Sequence, residues 1–295
     1  MLNREEIGII ANALNCSAKD LTQVQQIKKG MTNRSFLFTL GGKKYIARIP
    51  GAGTQKLISR TQEYEVYTRI APLGLGDDVV YMNPANGYKI TVFWEDARVC
   101  DPADFADVAK CMKVLKSFHD RKLQADCYFD IFERIDFYQG LLTRESCYAD
   151  YRQTKAGILE LKDYLQRDPV EMSLSHIDPV PDNFLFVNGG IRLIDWEYSA
   201  MQDRHLDIAM FAVYAMYERE NVEELIDCYF EGECPDNIRT KIYAYIAICG
   251  LLWSNWCEYK TQLGTNFGQY ALKQYQYAKY YYQVYMGRIS GAGGA

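Results

Sequence analysis

The stretch SHIDPVPDNFLFVNGGIRLIDW, Ser175–Trp196, decides how the rest of the chain is read. FLFV at Phe184–Val187 and IRLIDW at Ile191–Trp196 read as two strands joined by Asn188-Gly189-Gly190, because β-rich runs separated by a glycine-containing turn are a hairpin signal. Three polar residues surround that hairpin: Asp178, Asn183 five residues later, and Asp195 beyond the turn. Closing the hairpin brings its two ends, and so Asn183 and Asp195, together. Taken singly, Asp178-Pro179 and Asp182-Asn183 are ordinary turn residues, since Asp and Asn side chains bond nearby backbone. The joint spacing is what points to chemistry.

The order H-x-D-x-x-x-x-N followed by an aspartate, His176 to Asp195, matches the catalytic and metal loops of kinases. Phosphoryl transfer depends on placing a nucleophile in line and neutralising phosphate charge, which explains the residue types. Asp178 would accept or orient the proton of a substrate hydroxyl. Asn183 and Asp195 offer the hard oxygen ligands that suit Mg2+. His176, counted with the catalytic residues, would brace the loop by hydrogen bonding.

Working outward, SFLFTL at Ser35–Leu40, a Gly41-Gly42 turn and KYIARI at Lys44–Ile49 predict one hairpin. A helix-like segment starts at Ser59. VVYM at Val79–Met82, an Asn86-Gly87 turn and YKITVF at Tyr88–Phe93 predict a second hairpin. After Phe93 helical periodicity takes over, with Asp101-Pro102 as the expected cap and first turn of a helix running to His119. The expected fold is α+β and two-lobed, protein-kinase-like: a β-rich N-terminal nucleotide-binding lobe, residues 1–93, and a larger helical lobe, residues 94–295, for catalysis and substrate.

The chain resembles the choline/ethanolamine kinase family, and more closely its bacterial choline kinase branch, related to aminoglycoside phosphotransferases. Besides the Asp178 loop, the resemblance rests on GMTNRSFLF at Gly30–Phe38, IDWEYSAMQDRHLDIA at Ile194–Ala209 and LWSNW at Leu252–Trp256, four signals in the family's order across nearly the whole chain. It implies Mg-ATP-dependent phosphorylation of a small amino alcohol, choline first, giving phosphocholine, with Mg2+ and ATP as cofactors.

On the nucleotide side, Gly30 allows a tight bend while Thr32, Asn33 and Ser35 supply donors for phosphate oxygens. No P-loop occurs anywhere in the sequence. Period two places Arg48 on the face of Ile46 and Lys44, making it the expected phosphate-binding cation. Its forked, permanently charged guanidinium can hold a phosphate and a carboxylate at once. Glu63 is the expected partner, with Glu65 the alternative. Phe93, Trp94 and Glu95 occupy the connection where backbone groups would bond adenine.

On the substrate side, Trp253 and Trp256 lie three apart on one helix face. A quaternary ammonium donates no hydrogen bond, so ring faces must hold it. Tyr214, Tyr217 and Glu218 are the expected remainder of the cage. Here the chain departs from the eukaryotic family pattern: counted from Asp195, its glutamate position falls on Tyr214 and its tyrosine position on Arg219. Asp207 is expected to cap its helix and steady the Asp178 loop.

A net charge of -5 over 295 residues gives no footprint for nucleic acid. Nine cysteines without a C-x-x-C pair read as reduced thiols. The opening residues lack a signal-peptide pattern, and the longest apolar stretch, Tyr243–Trp253, is too short to cross a bilayer. The expectation is a cytoplasmic enzyme with a small-molecule partner and neither nucleic acid nor membrane. Ethanolamine, thiamine and aminoglycosides are the rival acceptors, and a catalytically inactive binding module is the rival class.

Overall fold

The computed structural model describes residues 2–27, 33–51, 54, 58–167 and 171–292. Its strands are β1 (Thr22–Ile27), β2 (Asn33–Leu40), β3 (Lys43–Pro50), β4 (Val79–Met82), β5 (Lys89–Val92), β6 (Arg98–Val99), β7 (Met172–Ser175), β8 (Phe184–Val187), β9 (Gly190–Leu193) and β10 (Ala200–Asp203). The helices are α1 (Arg4–Ala13), α2 (Arg60–Ile70), α3 (Phe105–His119), α4 (Ile131–Gly140), α5 (Tyr151–Arg167), α6 (His205–Tyr214), α7 (Arg219–Phe230), α8 (Asp236–Gln262) and α9 (Gln269–Ala292). Two compact units result: Met1–Cys100 with Asp182–Ser199, and Asp101–Pro181 with Ala200–Ala295.

The first unit is built on an antiparallel sheet of order β1-β2-β3-β5-β4. Gly41 and Gly42 both take positive φ, 57° and 79°, the combination a two-residue hairpin turn requires, so Leu40 pairs with Lys43. Alternation along β3 then sorts its side chains. Ala47 goes into a core with Phe38, Ile90, Ile10 and Ala11, where α1 covers the sheet. Arg48 goes to the other face and is nonetheless buried. Helix α2 starts where the Ser59 hydroxyl accepts from the Gln62 N–H at 3.3 Å, and buries Glu63, Val66, Tyr67 and Ile70, the i, i+3, i+4, i+7 stripe of an amphipathic helix.

A small sheet of order β6-β8-β9 completes this unit. The β8–β9 hairpin is tighter than the sequence suggests. Val187 pairs with Gly190, and the turn is the two residues Asn188 and Gly189, at φ 52° and 73°. Ile194, Asp195 and Trp196, expected in the strand, lie beyond its end because Asp195 turns left-handed at φ 67°.

The second unit is mainly helical, with β7 and β10 paired antiparallel. Helix α3 begins later than expected: Asp101 accepts from the Ala103 N–H at 2.9 Å and so closes a local turn, while Asp104 caps the helix by accepting from Ala106 at 2.9 Å. Helices α8 and α9 pack closely at Gly250. A Cβ there would lie 2.6 Å from both the Gln274 carbonyl oxygen and the Ala278 nitrogen, so only glycine permits this approach. Among the described residues, no helix is long and apolar enough to cross a membrane.

Candidate active site

In the first unit the β8–β9 hairpin does what its sequence implies. The Ile194 N–H donates to the Asn183 carbonyl at 2.9 Å, locking the two ends of the hairpin beside each other. Asn183 ends the 3-10 turn Pro181–Asn183, and Asp195 leaves β9 in the left-handed region, which costs about 1 kcal/mol or more and persists only where surrounding contacts fix it. Those contacts are ionic.

Arg48 meets Glu63 through two parallel bonds, Nη1 to Oε1 at 2.5 Å and Nη2 to Oε2 at 2.7 Å. Its Nη1 also lies 3.3 Å from Glu197 Oε2 and 3.5 Å from Asp195 Oδ1. Arg60 Nη1 joins Glu63 at 2.7 Å to Glu197 at 3.0 Å. Asn33 closes the ring, donating to Glu197 at 2.8 Å and accepting from Arg60 at 2.8 Å. Burial works against the Glu63 charge, but Arg48 and then Lys89 and Arg60 outweigh it and bring its carboxyl down to about 2. Burial, reinforced by Glu63 and Asp77, holds the Asp195 carboxyl above its usual range despite Lys89 and Arg48. Glu197 is raised as well, by burial and then by Asp195.

This arrangement can take a hard cation next to phosphate. Carboxylate oxygens of Glu63, Asp195 and Glu197 lie within 4.8 Å of one another. Two buried atoms in it make no hydrogen bond: Asp195 Oδ1, an acceptor aimed at a cation, and Arg48 Nε, a donor suited to a phosphate oxygen. Of the two metal ligands the sequence suggests, Asn183 and Asp195, Asp195 belongs to this carboxylate group, together with Glu63 and Glu197.

In the second unit, Asp178 follows a loop held from behind. Asp207 accepts from the His176 N–H and the Ile177 N–H, both at 2.8 Å, and faces His119 Nε2 at 2.9 Å. Ile177 is left-handed at φ 69°, strained for a β-branched residue. Asp207 therefore steadies the loop as expected but does not cap α6, whose N-cap position, Arg204, makes no side-chain capping bond. Its carboxylate is already committed to the loop. His176 is fully buried.

The Tyr214 hydroxyl donates to Asp178 Oδ1 at 2.5 Å. Its ring stands 5.2 Å from that of Trp253, which meets Trp256 edge-on at 5.7 Å and 86°. Trp256 in turn packs on Phe267 at 4.9 Å. A carboxylate and a run of aromatic rings thus share one place. Two residues the sequence did not single out join it: burial, with Asp178 contributing, pushes Tyr138 up to about 12 and raises Tyr270 as well.

Other expected site residues fall elsewhere. Tyr217 stacks on Phe105 at 5.5 Å and donates to the Pro102 carbonyl at 2.6 Å, and Glu218 pairs on the surface with Lys273. The reason is local. Helix α6 ends at Tyr214, and Met216 turns left-handed at φ 54°, so the helical spacing that would have aligned these residues with Tyr214 stops. In the first unit, Ser35 pairs across the sheet with Arg48, Glu63 rather than the exposed Glu65 meets Arg48, and Glu95 pairs with Lys44 at 2.6 Å. The Phe93 N–H donates to the Lys44 carbonyl at 3.0 Å, so the sheet, not adenine, takes that donor. Gly30 and Thr32 lie outside the described residues. Glu197 and Arg60 were missed, although both left a signal: Glu197 follows two residues after Asp195, and a cation in the first turn of α2 opposes the helix dipole, a placement that calls for a tertiary partner.

Comparison with known proteins places this geometry in context. A family model described as the phosphotransferase enzyme family matches residues 23–245. Protein LicA of Haemophilus influenzae is 27% identical over 261 residues, covering 83% of this chain and 76% of LicA. The crystal structure of choline kinase LicA from Streptococcus pneumoniae superposes with a TM-score of 0.81 at 29% identity, covering 94% of this chain and 98% of that one. A LicA structure in complex with AMP gives a TM-score of 0.80 at 29% identity over the same shares of the two chains.

Proposed function

Because this chain belongs to the phosphotransferase enzyme family, we propose that it transfers the γ-phosphate of Mg-ATP to the hydroxyl of choline, giving phosphocholine. Family membership makes it a phosphotransferase acting on an alcohol; choline is the finer step. One observation carries that step: Asp178, placed to take a hydroxyl proton, shares its surroundings with the rings of Tyr214, Trp253 and Trp256. A trimethylammonium group needs ring quadrupoles, worth about 0.5–2 kcal/mol each, and the hydroxyl two carbons away needs a base. The solved relative named as a choline kinase supports the same reading.

The roles divide as follows. Asp178 accepts the acceptor's proton as the oxygen attacks, and His176 contributes through the loop that carries it. Trp253, Trp256 and Tyr214 hold the cation, while the Tyr217 hydroxyl is engaged by the Pro102 carbonyl and Glu218 by Lys273. Arg48, fixed by Glu63, binds phosphate together with Gly30, Thr32 and Ser35. Asn33 joins them only by giving up its contacts to Glu197 and Arg60. Adenine lies by the Phe93–Glu95 connection; that a LicA relative is solved in complex with AMP supports nucleotide binding by this fold. Asn183 and Asp195 would hold Mg2+, which draws charge off the phosphate oxygens. Residues 1–93 serve the nucleotide and residues 94–295 the chemistry and acceptor, in the cytoplasm, where ATP is at hand.

The test is a panel of choline, ethanolamine, thiamine and kanamycin with Mg-ATP, read as acceptor-dependent ADP release. Choline should give the highest kcat/KM. Turnover of another acceptor with none of choline would remove the substrate assignment and leave the phosphotransferase standing.

A further inference from the structure

Helix α6 touches the Asp178 loop at two places. Asp207, in its first turn, holds the loop's backbone through the N–H groups of His176 and Ile177, both at 2.8 Å. Tyr214, its last residue, holds the side chain of Asp178 at 2.5 Å. Seven residues separate the two, about two helical turns, so both project from one face. The backbone needs such a hold because Ile177, immediately before Asp178, sits in a left-handed conformation that only surrounding contacts maintain. The carboxylate needs one for a different reason. A general base works only within hydrogen-bond reach of the proton it takes, and the Tyr214 hydroxyl restricts where the Asp178 carboxylate can point.

We propose that Tyr214 is a positioning residue for the base: its hydroxyl fixes the Asp178 carboxylate while its ring belongs to the aromatic cluster that receives the acceptor's cation. This deepens the choline reading and rests on it. The phenol keeps its proton throughout; the acceptor's proton goes to Asp178. One side chain then sets both the orientation of the base and the position of the cation, so an acceptor seated against Tyr214 and Trp253 meets a carboxylate already aligned. A carboxylate in place of Tyr214 would face Asp178 with like charge, whereas a phenol donates to it and, having its polar atom engaged, offers a cation only its ring.

The experiment separates the hydroxyl from the ring. Tyr214→Phe should lower kcat about tenfold, the loss expected for one hydrogen bond to a charged group, with KM for choline and for ATP each within about twofold of the parent. Tyr214→Ala should in addition raise KM for choline. In an Asp178→Asn background, Tyr214→Phe should change kcat by less than about twofold, since a residue that acts through the base has nothing left to act on. Circular dichroism melts of Tyr214→Phe and the parent should coincide. A parental kcat in Tyr214→Phe, a loss confined to KM, or an equal loss with and without Asp178 would each overturn the proposal. Should the panel show that choline is not the acceptor, the same series is read with the acceptor that is turned over, or with water through slow ATP hydrolysis. Failure of the choline reading and failure of the Tyr214 role are thereby told apart.

Discussion

Arg48 and Asp178 are the charged side chains proposed to serve the phosphate and the acceptor, and their surroundings are opposite. Arg48 is enclosed by charge: Glu63 grips it with two bonds, Glu197 and Asp195 lie within 3.5 Å, and Arg60 and Asn33 join the same ring. Asp178 is set among rings and takes its bond from a neutral phenol. The first region resembles a closed circuit. Its members neutralise one another, so a phosphate and a metal would enter only by exchanging partners. Burial first, and neighbouring carboxylates after it, hold the Asp195 and Glu197 carboxyls above their usual range. In the second region the packing of rings fixes the geometry, and a cation of the chain itself, Lys260, stands 5.7 Å from the Trp256 ring.

The contrast can be broken at either end. The largest expected effect is on chemistry: Asp178→Asn should lower kcat by about 10²- to 10⁴-fold, the usual worth of a general base, while its melting temperature stays close to the parent's. A large drop in melting temperature would mean that Asp178 belongs to the structure rather than the reaction. Next comes stability. Glu63→Ala leaves a buried guanidinium short of its main partner and should cost about 3 kcal/mol in urea unfolding, toward the low end for a broken buried pair because Glu197 still faces Arg48. The same variant should raise KM for ATP and leave KM for choline alone. Smallest is Trp253→Ala, expected to raise KM for choline about 2- to 30-fold, the equivalent of 0.5–2 kcal/mol for one cation-binding ring, with KM for ATP unmoved. If Glu63→Ala and Trp253→Ala each shifted both constants alike, the division into a charged side and an aromatic side would be wrong.

Much of this was legible in the sequence wherever it depended on local rules. The glycine turns announced the hairpins, and their strands followed within a residue or two except at the end of β9, which stops three residues early. Period two set Arg48 on one face of its strand, and of the two carboxylates the sequence offered it, Glu63 and Glu65, Glu63 is the one on the buried stripe of α2. Legibility ended where a local period broke. Tyr217 and Glu218 were expected beside Tyr214 on the assumption of continued helix, and the left-handed Met216 carried them away. Asp101 looked like a cap, yet Asp104, three residues on, does the capping. The signals that Glu197 and Arg60 left in the sequence were weak, because buried and solvated ions look alike until the fold shows which are dry.

What the sequence determined by itself is the order of the chemistry: an aspartate, an asparagine and a second aspartate strung around a hairpin, a cation on the third strand, two tryptophans a turn apart. Turn type and strand or helix period act over a few residues, so residue identity suffices to state them. Tertiary structure alone decided the partners. That Asp207 spends its carboxylate on the Asp178 loop, that Asn33 joins an ionic ring, and that Tyr214 reaches from the far end of α6 to Asp178 are contacts between segments 31 to 164 residues apart. Contacts over such separations follow from which surfaces pack together, because burial decides which polar groups must find one another and no local pattern encodes that choice.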